Sequence, residues 1–458
     1  MHIARRFAWN TITKVRGNVL EHYKTLQMVA GASYKEAIEF QNHSLAKILS
    51  HAYRYVPYYW EVMADCGIVD QHGRVDLTRF SEIPLLNRAT IHERHADLQS
   101  TKSDNKKRFE NKSSGSTGEP VKVVWDSDVF DWIMATKILF DDWAGYQVGL
   151  PQITLWGSER DLLVGNESIK TKTGRWLRNE VCLNSFYMTP DRMHEFVNAI
   201  NSHKPVHILA YAGSLYELAC FIEREGLPIR SPMSIMTSAD TLYPHMREKI
   251  EQVFGVRVFN RYGTRETGDI ACECKEHNGL HICLPTHFVE ILRPDGSPVE
   301  PGEEGEVVLT LLTNYSMPLI RYRIGDTAVL KEGLCNCGVS WPLLQHITGR
   351  LTDAFIRKDG GIVSSQTLLM ILNNCVVVKD WIKKCQCIQE DYDKVCVRIT
   401  SWDRNCLPQI EYASELLEVK ERIKLVMGED CEVDFEFPDD IPPTPSGKFR
   451  YVISNVER

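Results

Sequence analysis

At 458 residues the chain is long for a single hydrophobic core, so two or three domains are expected. Apolar content of 43% and charged content of 25% are those of an ordinary globular protein. A net charge of −8 excludes a broad basic surface for nucleic acid or anionic lipid, so any small anion must be held by local groups.

The N-terminal stretch is basic but has no apolar core followed by a small-residue cleavage site, so it does not read as a signal peptide. No run of 18 apolar residues occurs, which predicts no membrane span. Fourteen cysteines without a secretion signal point to a reducing compartment, and a cytoplasmic location is expected. The first hundred residues read as mainly helical, with apolar residues three and four apart until Pro57 interrupts the pattern. From 120 to 345, β-like runs such as VHILAY, SIMTSA, VRVFNRY and GEVVLTLLT alternate with the helical segments SLYELACFIEREGL and HMREKIEQVFG. That alternation predicts an α/β architecture with largely parallel sheet. After ITGRLTDAF the chain restarts as a small α+β unit, giving expected domains of 1–351 and 352–458 with the boundary near Thr352.

Four segments carry chemistry. NKSSGSTGEPVKV concentrates glycines and hydroxyls: Ser113, Ser114, Gly115, Ser116, Thr117 and Gly118, with Lys122 beyond. Glycine permits close backbone approach, so such a loop can turn several N–H groups toward a phosphate, although the Walker ending is missing and a plain linker has the same composition. NRYGTRETGD places Tyr262, Gly263 and Thr264 at a strand end with Glu266 close behind. PLIRYRIGD ends a strand at Asp326, and PPTPSGKFRYVIS sets Lys448 after a Pro-Ser-Gly bend.

Together with HAYRYVPYY, IPLLNRATI and ITGRLTDAF, these segments in this order resemble the phenylacetate–CoA ligase family of adenylate-forming enzymes, in particular its branch from capsule and surface-polysaccharide gene clusters. The resemblance implies a large N-terminal α/β domain with mixed sheets and a mobile α+β cap. It implies activation of a carboxylic or amino acid by ATP as acyl-AMP, then transfer to coenzyme A or to the phosphopantetheine of an acyl carrier protein. Direct transfer to an amine and a non-catalytic nucleotide-binding scaffold stay open as alternatives, as does a homodimer; a nucleic-acid partner is not expected. By the same resemblance, residues 114–118 cover the outer phosphates. Ser238, Ala239 and Asp240 form an adenine-binding turn facing Tyr262 and Gly263, with Thr264 beside them. Glu266 holds Mg2+, Asp326 takes the ribose hydroxyls with Arg350 on the same side, and Lys448 promotes adenylation from the cap. The hinge is Thr352 or Asp353. Trp156 and Tyr211 lie where relatives place acyl-pocket walls.

CECKEHNGLHIC and CNCG, about sixty residues apart, form a Cys/His cluster inside the β-rich 270–345 region. Cys274, Cys335 and Cys337 with either His277 or His281 would make a closed, structural Zn2+ site. Cys272 and Cys283 read as plain core residues.

Overall fold

Eleven strands form one sheet. This computed structural model describes residues 5, 17–70, 72–102, 107–112, 120–157, 169–185, 188–203, 206–350, 354–363, 365–372, 381–402, 414–444 and 449–456. Preceding the sheet are the helices α1 (Val19–Ala30), α2 (Tyr34–Tyr55), α3 (Pro57–Cys66) and α4 (Arg88–Glu93), and the hairpin β1 (Arg108–Lys112) and β2 (Lys122–Asp126). A reciprocal capping box between Ser33 and Glu36 starts α2. Pro57 does not merely interrupt this helical run: α2 stops at Tyr55, and the proline opens α3 at a position where its missing N–H costs nothing.

The parallel half consists of β3 (Gln152–Leu155), β4 (Glu180–Leu183), β5 (His207–Tyr211), β6 (Ser234–Ser238) and β7 (Val258–Thr264). Its helices are α5 (Ser127–Trp143), α6 (Ile169–Arg178), α7 (Pro190–Ser202), α8 (Ala212–Arg224) and α9 (Pro244–Phe254). The last begins on a proline and ends at Gly255, whose φ of 71° is the left-handed stop that glycine adopts without strain. Alternate strand residues face opposite cores. Ile208, Ala210 and Ile235 pack with Phe196, Leu218 and Phe254 of α7–α9; Leu209 and Met236 pack with Leu26 of α1 and Leu139 of α5. Burial on both faces is why these strands read as continuous apolar runs.

From β7 to β13 every further pairing in this sheet is antiparallel: β8 (Gly268–Glu273), β9 (Leu280–Ile282), β10 (His287–Leu292), β11 (Glu304–Leu311), β12 (Tyr322–Leu330) and β13 (Leu343–Arg350). The fold is therefore α/β with a mixed sheet. The strand expected to end at Asp326 runs on to Leu330, and Asp326 lies in its interior opposite Arg350.

The C-terminal part has its own core. The hairpin β14 (Phe355–Ile356) and β15 (Ile362–Val363) leads to α10 (Ser365–Leu372), β16 (Ile382–Asp391), β17 (Lys394–Ser401), α11 (Ser414–Met427), β18 (Glu432–Glu436) and β19 (Val452–Ser454). The four long-range strands are ordered β18-β17-β16-β19, and Leu368, Val397, Val419 and Ile423 fill the space under α10 and α11. Lys384 Nζ of β16 lies 3.1 Å from Asp440 and 3.9 Å from Glu217 of α8, which ties this part to the parallel half of the large sheet.

Helix α5, which follows the glycine-serine segment and β2, is fixed by one carboxylate. Asp126 accepts from the backbone N–H of Asp128 and Val129 at 2.9 and 3.0 Å, and its other oxygen accepts from the Ser316 hydroxyl at 2.9 Å. We expect Asp126→Ala to lower stability by about 1–2 kcal/mol, with Asp126→Asn retaining most of it, because asparagine still caps. Equal losses in urea unfolding would refute the capping role.

Candidate functional site

The site is built where the sheet changes from parallel to antiparallel. Tyr262 and Gly263 occupy β7, and the chain reverses at once into β8. A Cβ on Gly263 would lie 2.6 Å from the Gly268 carbonyl oxygen, so only glycine allows this approach. Within the turn the Thr264 hydroxyl accepts from Thr267 N–H at 3.2 Å and meets the Thr267 hydroxyl at 3.0 Å. Glu266 is buried there, and its backbone carbonyl accepts from Trp125 Nε1 of β2 at 3.2 Å. Among the described residues no ion pair engages its carboxylate, which suits a hard cation.

The Tyr262 phenol donates to Asp326 Oδ2 at 2.8 Å, while Arg350 Nε stands 3.6 Å from Asp326 Oδ1. Burial, reinforced by the Asp326 charge, drives the phenol's pKa well up, so it stays a donor. The expected trio of Tyr262, Asp326 and Arg350 is thus brought together from β7, β12 and β13. Ser238 ends the neighbouring strand β6, and Ala239 has φ of 71°, the left-handed region that a Cβ disfavours. Such strain, on the order of 1–3 kcal/mol, persists only where the surroundings impose it. Asp240, next in line, borders a cavity of about 310 Å³ shared with Gly213 and Glu217 of α8 and with Lys384, Phe449 and Tyr451 of the C-terminal part. Trp156 and Tyr211 stack face to face with ring centroids 4.0 Å apart, on the α5 side of the same strand ends.

Ser114, Gly115, Ser116, Thr117, Gly118, Lys448 and the hinge pair Thr352 and Asp353 lie outside the described residues. Their flanks are described. Lys122 sits in β2 with Nζ 3.9 Å from Glu110, an exposed ion pair. Phe449, next to Lys448, lines the cavity beside Asp240.

The cysteine cluster resolves the histidine left open by the sequence. Ligand atoms of Cys274, His281, Cys335 and Cys337 all lie within 4.8 Å of one another. Cys274 and Cys335 sulfurs are 3.6 Å apart, and Cys337 Sγ is 3.4 Å from His281 Nε2. Tetrahedral zinc with ordinary bond lengths requires about 3.8 Å between sulfurs and about 3.5 Å between sulfur and nitrogen. The donor set therefore fits. His277 is not part of it: its Nδ1 faces Glu273 at 3.2 Å, and that carboxylate is also held by Arg247 at 2.7 Å. Cys272 and Cys283 are fully buried in the apolar core beneath α5, as expected, and burial pushes the Cys283 thiol up to about 12.

Sequence reasoning assigned nothing to α5, whose apolar residues encircle it without a clean single stripe, nor to Arg261 and Asp269, which flank the recognised Tyr-Gly turn. The signal for α5 was available in Asp126, a good cap ahead of the helix. A charged residue inside the hydrophobic run VRVFNRY was the corresponding signal for Arg261.

The CapK C-terminal domain family model matches residues 355–455. Protein CapK of Staphylococcus aureus is 22% identical over 431 residues, covering 92% of this chain and 90% of that one. Phenylacetate-coenzyme A ligase of Thermus thermophilus is 25% identical over 350 residues, covering 72% and 74%. Among solved structures, 2-hydroxyisobutyryl-CoA ligase in the postadenylation state matches with a TM-score of 0.68 at 18% identity, over 90% of this chain and 88% of that one. The same ligase in its thioesterification state scores 0.57 at 19% identity, over 92% and 90%. With the Tyr-Gly turn, Asp326 and the separate C-terminal fold in place, these likenesses agree with the resemblance read from the sequence: the chain is similar to phenylacetate-coenzyme A ligases and to CapK, and its fold is that of the adenylate-forming ligases.

Proposed function

We propose that the protein activates a carboxylic acid with ATP as an acyl-adenylate, releasing pyrophosphate, and then passes the acyl group to a thiol of coenzyme A or of a carrier-bound phosphopantetheine. The observation that carries this reading is the Tyr262–Asp326–Arg350 trio beside the strained Ser238–Asp240 turn. An aromatic face, a carboxylate with two oxygens and a guanidinium are what a purine, a ribose diol and a phosphate require. The phenylacetate-coenzyme A ligase likenesses support the reaction class, and the CapK likeness is the sole support for a setting in surface-polysaccharide synthesis.

In this reading residues 1–351 bind nucleotide and acid, and residues 352–458 form a cap that turns about Thr352 or Asp353. The Ser114–Gly118 loop wraps the outer phosphates. Tyr262 covers the adenine against Ser238–Asp240, and Asp326 accepts from the ribose hydroxyls. Thr264 braces the turn. Glu266 would hold Mg2+, whose charge would neutralise the phosphates. Lys448 brings a point charge to the carboxylate and α-phosphate as they approach, where two anions would otherwise repel. Its neighbour Phe449 already borders the cavity beside Asp240, and the shape likeness is greater to the postadenylation form than to the thioesterification form of the solved ligase. Cys274, His281, Cys335 and Cys337 would hold a zinc ion with four protein ligands, a closed and therefore structural shell, and would so join the segment after β8 to the loop before β13, the strand that carries Arg350.

Exchange of labelled pyrophosphate into ATP, measured over a panel of acids, tests the first half-reaction without knowledge of the acceptor. Exchange that never depends on an added acid would overturn the proposal. Lys448→Ala should cut acid-dependent exchange by about 100- to 1,000-fold while thioester formation from supplied acyl-AMP largely survives. Equal losses in both would remove the role given to Lys448. Protein purified without chelators should contain about one zinc per chain, and Cys335→Ser or His281→Ala should lose it with a lowered melting temperature. Absence of zinc from such wild-type protein would exclude the structural metal.

A further inference from the structure

The strand registers line up one row of side chains on the sheet face turned toward α5. Tyr211 is paired with Ser238, Ser238 with Arg261, and Arg261 with Cys272; Trp156, just past β3, stacks on Tyr211. The row therefore runs from an aromatic wall, past the proposed adenine turn, to a guanidinium. Arg261 is only 6% exposed, where an arginine needs its donors engaged. They are engaged incompletely. Nε stands 3.4 Å from Asp269 Oδ1 and 3.5 Å from the Ser238 hydroxyl, while the buried Nη1 has no hydrogen-bond partner.

Helix α5 crosses above this row. Ile133 packs so close to Gly268 that an added Cβ there would come within 2.8 Å of it. Lys137 and Asp141 follow Ile133 one and two turns along the same helix face, and both act electrostatically on the strand row. Burial pushes the Asp141 carboxyl up to about 6, opposed by Lys137 and Arg261. Two cations and two carboxylates thus meet between a helix and the strand ends. Within this cluster the guanidinium keeps one buried nitrogen, Nη1, without a hydrogen-bond partner.

We propose that Arg261 is a specificity-determining residue that hydrogen-bonds an acceptor group on the acid, so that the acid activated is a hydroxy, keto or dicarboxylic acid in preference to a plain alkyl or aryl acid. This rests on the acid-activation reading given above. The acid must approach the α-phosphate near the Ser238–Asp240 turn, and the row places Arg261 directly beside that turn, with the Trp156–Tyr211 pair as the opposite wall. A site built to hydrogen-bond a substrate group discriminates strongly against an analogue that lacks it, because its own buried donor is then left unpaired.

Matched acids test this in the pyrophosphate exchange assay with the full chain: 3-hydroxybutyrate against 3-methylbutyrate, 4-hydroxyphenylacetate against 4-methylphenylacetate, and glutarate against 5-methylhexanoate. In at least one pair kcat/KM should favour the polar acid by about tenfold or more. Arg261→Met combined with Asp269→Asn, which avoids stranding a carboxylate, should reduce that preference to below about threefold while exchange with the methyl analogue persists. Should the double variant fail to fold, the wild-type preferences alone decide. Wild-type preference for the methyl analogue in every pair, or an unchanged preference in a folded variant, overturns the inference and leaves acid activation standing. Exchange with no acid of either kind overturns the activation reading, and this inference with it.

Discussion

The contact between Tyr262 and Asp326 sets the shape of the large domain. Their strands, β7 and β12, are separated in the sheet by β8, β9 and β13. Laid flat at the usual spacing they would stand about 19 Å apart. Yet the phenol and the carboxylate meet at 2.8 Å. The antiparallel half must therefore curl back over the end of the parallel half, and the concavity so formed is where the nucleotide reading places ATP. Register shifts in the β12–β13 and β7–β8 ladders supply local bends of the kind that let a sheet turn so sharply.

Around that contact, residues break local rules in a concentrated way. Ala239 holds a left-handed φ, Gly263 has no room for a side chain, Gly268 is pressed by Ile133, and Arg261 is buried with a donor unspent. None improves the stability of a sheet. Their grouping at the ends of three adjacent strands, β6, β7 and β8, is the kind of concentration that functional sites impose on an otherwise consistent fold. The tight β7–β8 turn brings Glu266 under Trp125, and the strand pleat sends Tyr262 and Arg261 to opposite faces.

The C-terminal part meets the parallel half through charge as much as through apolar contact. Glu217 is almost wholly enclosed; burial raises its carboxyl, and Lys384 and Lys383 oppose that rise. Tyr451 adds an edge contact to Tyr243, with ring centroids 5.9 Å apart. An interface that depends on two lysines with a second acidic partner, Asp440, is held by groups that water can also satisfy. That composition suits units that part and meet again, as inter-domain surfaces of modest polarity do.

Sequence alone determined the elements and their class. The apolar runs of β5, β6 and β7, the proline and glycine bounding α9, and the restart after residues 347–355 were legible because they follow from local chemistry: side-chain period, fixed proline φ and the freedom of glycine. The motif residues Tyr262, Glu266 and Asp326 were legible too, through their resemblance to a family. Tertiary structure decided what stands opposite what. It placed Arg350 across from Asp326, chose His281 over His277 beside the three cysteines, and set Arg261 in a row with Tyr211 and Ser238. These depend on strand register and on the curl of the sheet. Both are fixed by contacts between residues tens to hundreds of positions apart, which no local pattern in the chain encodes.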